Sequence, residues 1–585
     1  MRLEAYWGVG PKTRELLVEE LGAAAAVEAI ESADGRALME AGLSRGRATR
    51  ILRRANGGEG MDVLATRDTR QVYKDILDIA SEYAVTRHAE DRIRVLTPLR
   101  DRDAMVERLD AVLDARDAWA ALAEGTRTAV VDAFERHDSV HGGEQSAVRT
   151  ALALVRTDAE GGVFDSLDAL DADALSDAAD ALAALGEGAV DDGVDDRLDE
   201  LRGQYRAAES LAADQADLLE SVQGSVRGSD EFRERVLDRI VEETGVPVGT
   251  VREAMPADAA DAAGFLAETL RTLTADRREA VEEREAAVVA DREAALEAAR
   301  DTVDEAVDLV DDVAFYVSLA RFAAAFALTR PEYVGDRDAL AVRNARNLGL
   351  AAADGESVQP VQYGVGDHDL PFETATAPPS GDRVAVLTGA NSGGKTTLLE
   401  TLCQVQLLAQ MGLPVPADGA QVGVVDRVVF HRRHASFNAG VLESTLRTIV
   451  PPLTEDGRTL MLVDEFEAIT EPGSAADLLH GLVTLTVERD AVGVFVTHLA
   501  DDLEPLPETA RTDGIFAEGL TPDLELSVDY QPRFGTVGKS TPEFIVSRLL
   551  ADAEDRSAAA GFETLAEAVG QETVQRTLAD ARWSE

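Results

Sequence analysis

Between Gly389 and Thr396 the chain reads GANSGGKT, which fits the pattern G-x-x-x-x-G-K-[ST] at every defined position. Such a loop works only as the turn from a strand into a helix, so it commits its surroundings to an α/β sheet. The apolar run VAVLT precedes it and a helical segment beginning near Thr396 follows. The glycines let backbone amides turn inward on phosphate oxygens, and a helix amino terminus adds partial positive charge. Gly389, Ala390, Asn391, Ser392, Gly393, Gly394, Lys395, Thr396 and Thr397 are therefore the candidate nucleotide-binding residues. Lys395 is expected to reach the β- and γ-phosphates and Thr396 to ligate Mg²⁺, which makes ATP and Mg²⁺ the implied cofactors.

About 70 residues on, TLMLVDEFEAIT is an apolar strand ending in Asp464-Glu465. An Asp at a strand end can hold Mg²⁺, and an adjacent Glu can act as general base on the attacking water. A further strand, VGVFV, leads into Thr497-His498, where the imidazole could sense the γ-phosphate. Phe372, 17 residues ahead of Gly389, is either a stacking partner for adenine or an ordinary core residue.

The chain has 585 residues, room for three or four domains of roughly 150 residues. It carries 57 basic and 110 acidic residues, a net charge of -53. Disorder is the first reading of such charge, but apolar periodicity runs through nearly the whole chain. Only four residues are lysine: Lys12, Lys74, Lys395 and Lys539. An acidic, lysine-poor, alanine-rich chain resembles cytoplasmic proteins of salt-accumulating halophilic archaea. Molar salt shortens the Debye length to about 3 Å, so global acidity reflects the solvent and does not exclude a nucleic-acid partner. Cys403 is alone and falls in an apolar helical run, which suits a buried thiol. No window reaches 18 uninterrupted apolar residues and MRLEAYWGVG is no signal peptide, so a cytoplasmic protein without a membrane partner is expected.

Four regions emerge. Residues 1–57 form a short helical module, and residues 61–350 carry helical periodicity with few strand signals. Residues 351–550 begin with loops and short strands, then alternate strand-like runs (Arg383–Thr388, Thr459–Val463, Gly493–Thr497) with helical segments. Residues 551–585 read as short helices. The clearest stretch free of Gly and Pro runs from Phe265 to Arg330. Within it Ala299, Val303, Ala306, Val310, Val313 and Val317 alternate spacings of four and three, either a coiled-coil-like seam or one face of a bundle helix.

Together these residues resemble the MutS family, whose nucleotide domain is of the ABC class. GANSGGKTTLLETL is similar to the family's G-P-N-x-G-G-K-[ST] loop. LLAQMGLPVPADGAQVGVVDRVVF, LESTLRTIV, VDEFEAITEPGSAADLL, VTHL and YQPRFGTVGKSTPEFIVSRLL resemble segments that follow it. NSGGKT and AQMGLPVPA sit closer to the second MutS subfamily. The resemblance is specific over residues 381–550 and looser over 61–380, where it implies core and lever helices with a clamp arm at about 200–310. Three positions depart: Ala390 for the family's proline, Leu446 for its phenylalanine and Glu467 for its glycine. No mismatch-reading α/β domain fits within residues 1–57, Phe232-Arg-Glu234 lies deep in the helical arm, and no Smr nuclease domain fits after about Leu550. The resemblance implies a homodimer in which Ser444-Thr445 of one chain complete the other chain's site. It implies an ATPase clamp on duplex or branched DNA in mismatch repair or recombination control.

At the front, Trp7-Gly-Val-Gly-Pro-Lys12 followed by TRELLVEELG resembles a helix-hairpin-helix motif, with a second copy at Ala41-Gly-Leu-Ser-Arg-Gly-Arg-Ala48. Such hairpins bare backbone amides at a helix start, which grip a phosphate without reading sequence. Gly8, Gly10, Lys12, Gly42, Arg45, Gly46, Arg47 and Arg50 are the candidate DNA contacts. Residues 42–54 hold five arginines and no acid. The other reading is a helical cap or dimerisation module. The expected fold class is thus multidomain: an N-terminal helix-hairpin-helix, an all-α core, lever and clamp, and a C-terminal α/β P-loop ATPase of ABC type. The rival function is a nucleotide-gated DNA-bridging protein of SMC-like type with little turnover.

Overall fold

The computed structural model describes residues 3, 6, 9–31, 34–139, 144–184, 190, 192–223, 228–335, 337–354, 358–372, 377–389, 394–433, 439–466, 472–503, 505–520, 526–538, 542–551, 553, 556–571 and 574–578. The chain divides into two compact units. The first comprises Met1–Phe134, Ala159–Asp165 and Asp311–Glu585, and the second Glu135–Asp158 and Ser166–Val310.

The first unit contains two sheets. The smaller is built from β1 (Glu332–Val334), β2 (Ala339–Ala345), β3 (Val361–Gly366) and β5 (Gly419–Gly423), in the order β1-β5-β2-β3. The larger uses β4 (Val384–Gly389), β6 (Arg427–His431), β7 (Thr459–Asp464), β8 (Val492–Val496), β9 (Ala510–Leu520) and β10 (Leu526–Phe534), in the order β10-β9-β4-β8-β7-β6. Strands β6, β7, β8, β4 and β9 run parallel, and β10 closes the far edge antiparallel. Every residue of β4, β7 and β8 is buried. Their unbroken apolar runs therefore belong to a parallel sheet covered on both faces.

The helix Lys395–Gln410 is buried nearly all round, and its leucines share one core with both sheets. A helix in that position must satisfy its polar side chains locally. Gln406 donates to the Gly423 carbonyl at 2.9 Å, Gln410 to the Val425 carbonyl at 2.9 Å, and the Leu348 amide donates to Gln404 at 2.9 Å. The same core takes in Val72, Tyr73, Ile76, Leu77 and Ala80 of the helix Arg67–Ser81, whose spacing puts them on one face. Met105, Leu109 and Val112 of Arg102–Ala121 and Leu319, Phe322 and Ala323 of Arg300–Ala325 complete it.

The start of Arg67–Ser81 also seals an edge. An exposed β6 would offer unpaired backbone groups to any passing strand. Instead, the Ala65 amide and the Thr69 hydroxyl donate to the Val428 carbonyl at 3.2 and 3.0 Å. The Phe430 amide donates back to Thr69 Oγ1 at 2.9 Å. Behind β4 lies a buried ion pair. Asp513 accepts from Arg511 Nε at 3.0 Å, from the Tyr363 hydroxyl at 2.9 Å and from the Gly535 amide at 3.2 Å.

The amino-terminal module packs four helices, Pro11–Glu20, Ala23–Glu31, Gly35–Glu40 and Arg45–Gly57, around Leu17, Ile30, Leu38, Ile51 and Leu52.

The second unit is helical throughout its described residues. Its longest helix, Ala262–Ala298, has 37 residues and is ~56 Å long at 1.5 Å per residue. Phe265, Leu266, Leu270 and Leu273 bury one end of it against Val236, Leu237, Ile240 and Val251. The Gly- and Pro-free run after Phe265 is not one helix: it breaks at Ala299, resumes at Arg300 and ends at Ala325. Val303, Ala306, Val310, Val313 and Val317 are fully buried, as their spacing requires. No helix among the described residues is long and apolar enough to cross a membrane.

Candidate functional site

Strand β4 ends at Gly389, whose φ of +131° lies where L side chains rarely go. A Cβ there would sit 2.2 Å from the Ile515 carbonyl oxygen of β9, so no larger residue fits. Gly394, at φ +71°, caps the following helix, and a Cβ on it would meet the ring of Tyr530 at 2.8 Å. Ala390, Asn391, Ser392 and Gly393 lie outside the described residues. Lys395 is buried, and its Nζ folds back to donate to the Gly389 carbonyl at 2.8 Å. Thr397 is half-buried on the next position, its carbonyl accepting from Thr401 at 2.7 Å.

Because β8 lies between β4 and β7, the ends of three neighbouring parallel strands converge. The Thr396 hydroxyl, at the start of the helix after β4, donates to Asp464 Oδ2 at 2.7 Å. Asp464 Oδ1 is buried and has no hydrogen-bond partner among the described residues. Glu465 follows in left-handed conformation, φ +42°, with its amide donating to the Val496 carbonyl of β8 at 3.0 Å. That turn aims its side chain at His498, whose Nε2 is 2.9 Å from Glu465 Oε1. A carboxylate only accepts, so Nε2 carries the proton. Lys395 Nζ is 4.0 Å from the same oxygen, and Arg433 Nη1 is 2.6 Å from Oε2.

The two carboxylates are pushed in opposite directions. Burial holds the Asp464 carboxyl above the usual range, opposed by the Thr396 hydroxyl. The hydrogen bond from His498 pulls Glu465 below its usual range against its burial, helped by the charges of Arg433 and Lys395. Among the described residues no group of three His, Cys, Asp or Glu gathers to enclose a metal ion. An open pair of hard oxygen donors with one unsatisfied carboxylate oxygen suits Mg²⁺, which keeps several of its waters.

The other sequence candidates fall elsewhere. Phe372 is half-buried, with its ring edge-on to His368 at 5.9 Å, and is not among the side chains that meet at the strand ends. On the helix Ala439–Ile449, Ser444 is exposed and Thr445 buried. Glu467 lies outside the described residues, as do Trp7 and Gly8.

In the amino-terminal module Gly10 caps Pro11–Glu20, Lys12 is exposed, and Gly42 takes φ +92° ahead of Arg45–Gly57. Arg47 donates to Thr13 Oγ1, which brings the two helix starts together. Gly46 and Arg50 are exposed beside them. Arg45 is engaged differently, 2.8 Å from Glu90.

Three residues of the larger unit escaped the reading of the sequence. Tyr530 covers Gly394, and Arg433 reaches Glu465. Gly538 packs so tightly on β4 that a Cβ would sit 2.8 Å from Gly389 Cα. Tyr530 and Gly538 do fall within YQPRFGTVGKSTPEFIVSRLL, singled out as a segment, but their contacts join residues more than a hundred positions apart.

These features define an α/β domain whose parallel strands carry their charged side chains at the carboxyl ends, where open α/β sheets hold ligands. Residues 385–501 match the family model MutS domain V. The chain is 46% identical over 195 residues to the DNA-binding protein MutS2 of Pyrococcus furiosus, covering 33% of this chain and 34% of that one. It is 30% identical over 244 residues to the Endonuclease MutS2 of Thermomicrobium roseum, covering 40% and 28%. To the Endonuclease MutS2 of Thermus thermophilus it is 33% identical over 174 residues, covering 29% and 23%. The match thus spans about a third or less of each of these relatives. Residues 385–501 are thus similar to MutS domain V, and the matched stretch of the chain resembles MutS2 proteins.

Proposed function

We propose that this chain is an ATP-dependent DNA-binding protein, a homodimeric ATPase whose hydrolysis cycle opens and closes a clamp on duplex or branched DNA in repair or recombination control. The observation that carries the reading is the meeting of Lys395, Thr396, Asp464, Glu465 and His498 at the ends of β4, β7 and β8. Glu465 accepts a proton from the attacking water, and His498 holds that carboxylate and senses the γ-phosphate. Lys395, now on the Gly389 carbonyl, moves to the phosphates when they arrive. Asp464 and Thr396 would hold Mg²⁺, which supplies positive charge to the phosphate oxygens. Gly389 to Thr397 cradle the nucleotide, and Phe372 is retained as a candidate for the base. Ser444 and Thr445 complete the partner's site.

The names of the relatives support the DNA half of the proposal: one is called a DNA-binding protein and two are called endonucleases. The adjacent helix starts of the amino-terminal module offer Gly10, Lys12, Gly42, Gly46, Arg47 and Arg50 to a phosphate backbone, with Gly8 beside them in sequence. Arg45 contributes only if it leaves Glu90.

A second reading, nucleotide-gated bridging with little turnover, draws on one observation. Both oxygens of Glu465 are already engaged, by His498 and Arg433. Substituting Glu465→Gln separates the two. On the ATPase reading the variant binds ATP, stops hydrolysing it and accumulates as a nucleotide-bound dimer in size-exclusion chromatography. Hydrolysis unchanged from the parent chain sinks the assignment of the base.

A further inference from the structure

Arg433 stands at the end of β6, two residues past its last strand residue, and its Nη1 lies 2.6 Å from Glu465 Oε2. Neither the phosphate loop nor the Asp-Glu strand predicts this contact. We infer that Arg433 is a positioning residue that restrains Glu465 and so slows the hydrolysis proposed above, an inference that rests on that reading of Glu465.

The contact is set by the backbone beneath it. Thr66 and Thr69 hydrogen-bond the Phe430 and Val428 carbonyls, and the Arg432 amide donates to Asp68 Oδ2 at 2.9 Å. The start of the helix Arg67–Ser81 therefore fixes the exit direction of β6. The two arginines that follow then reach different partners. Arg432 lies over the Phe430 ring at 5.3 Å and reaches Glu400 on the helix after β4 at 3.1 Å. Arg433 reaches Glu465. One strand end thus ties the helical part of the first unit both to the phosphate-loop helix and to the candidate base.

The consequence follows from valence. The charged groups facing Glu465 are His498, Arg433, Lys395 and its neighbour Asp464. With His498 on Oε1 and Arg433 on Oε2, the carboxylate is fixed at both ends. A water hydrogen-bonded to Glu465 must share an oxygen with a donor already bound there, which weakens its orientation for attack. The Arg433 side chain is 57% exposed against 11% for Glu465. A half-exposed ion pair is weak and exchanges readily, so the restraint can be released, for example toward the negative charge of a bound polyphosphate.

The test is steady-state phosphate release from ATP by the full chain, comparing R433A, R433K and E465Q with the parent. R433A is expected to raise kcat about two- to fivefold with KM for ATP unchanged, the size a half-exposed ion pair allows. R433K, which keeps a cation there, stays near the parent. An unchanged or lower kcat in R433A overturns the inference, and so does a raised KM, which would make Arg433 a nucleotide ligand. A gain in R433K as large as that in R433A also overturns it. E465Q keeps the two readings apart. Parent-like hydrolysis in E465Q removes the base itself, whereas loss in E465Q with no gain in R433A removes only the restraint.

Discussion

Gly538 offers a strict test of how the phosphate loop is supported. A Cβ at this position would lie 2.8 Å from Gly389 Cα, 2.9 Å from the Thr388 carbonyl oxygen and 3.0 Å from the Gly389 amide nitrogen. All three are backbone atoms at the end of a fully buried strand, so none can yield as a flexible side chain would. G538A must therefore displace either the end of β4 or the loop after β10. Overpacking of this kind costs about 1–3 kcal/mol. Displacing the loop also strains the hydrogen bond from the Gly538 amide to Thr388 Oγ1, 2.6 Å long, worth about 1 kcal/mol. The sum is about 2–4 kcal/mol. At roughly 2 °C per kcal/mol, the low end for larger domains, the calorimetric transition of the first unit should fall by about 4–8 °C. The neighbouring V537A is the control, because Val537 is 41% exposed and its truncation should stay within about 0.5 kcal/mol. Equal melting of G538A and V537A would refute the close approach of Gly538 to Gly389.

Two further substitutions probe buried polar contacts. T69V should leave the Phe430 amide without its 2.9 Å acceptor and remove a donor from the Val428 carbonyl, costing about 2–4 kcal/mol in a urea titration. A parent-like midpoint would mean that β6 is held by something other than this threonine. R511M should cost about 3 kcal/mol or more, since it leaves fully buried Asp513 with only the Tyr363 hydroxyl and the Gly535 amide. The R511M/D513L double variant should recover part of that loss, and strict additivity of the two single effects would count against a coupled pair.

What the sequence determined by itself was local. Unbroken apolar runs at Val384–Gly389, Thr459–Asp464 and Val492–Val496 announce buried parallel strands, because a strand covered on both faces has no polar side to alternate with. The glycines at Gly389 and Gly394 announce a turn that takes positive φ, and the lysine and threonine after them mark where a phosphate would lie. The residue types of the candidate site were readable for the same reason: Asp464 ends β7 and Glu465 follows it, His498 lies two positions past β8, and Lys395 and Thr396 open the helix after β4. The interruption at Ala299 was not readable, since neither Gly nor Pro marks it.

The tertiary structure decided everything that needed two distant segments to meet. β8 follows β7 in the chain, yet it lies between β4 and β7, and only that order lets His498 and Lys395 approach the same oxygen of Glu465. The helix at Arg67–Ser81, which sequence periodicity assigns to an all-helical region, closes the edge of the larger sheet through Thr66 and Thr69. Tyr530 over Gly394, Gly538 against Gly389 and Arg433 on Glu465 have no local pattern to announce them. A period of 3.6 or 2 assigns each segment its conformation and its buried face. It is silent on which other segment covers that face, because this is settled by packing across the whole core and not by neighbours in the chain.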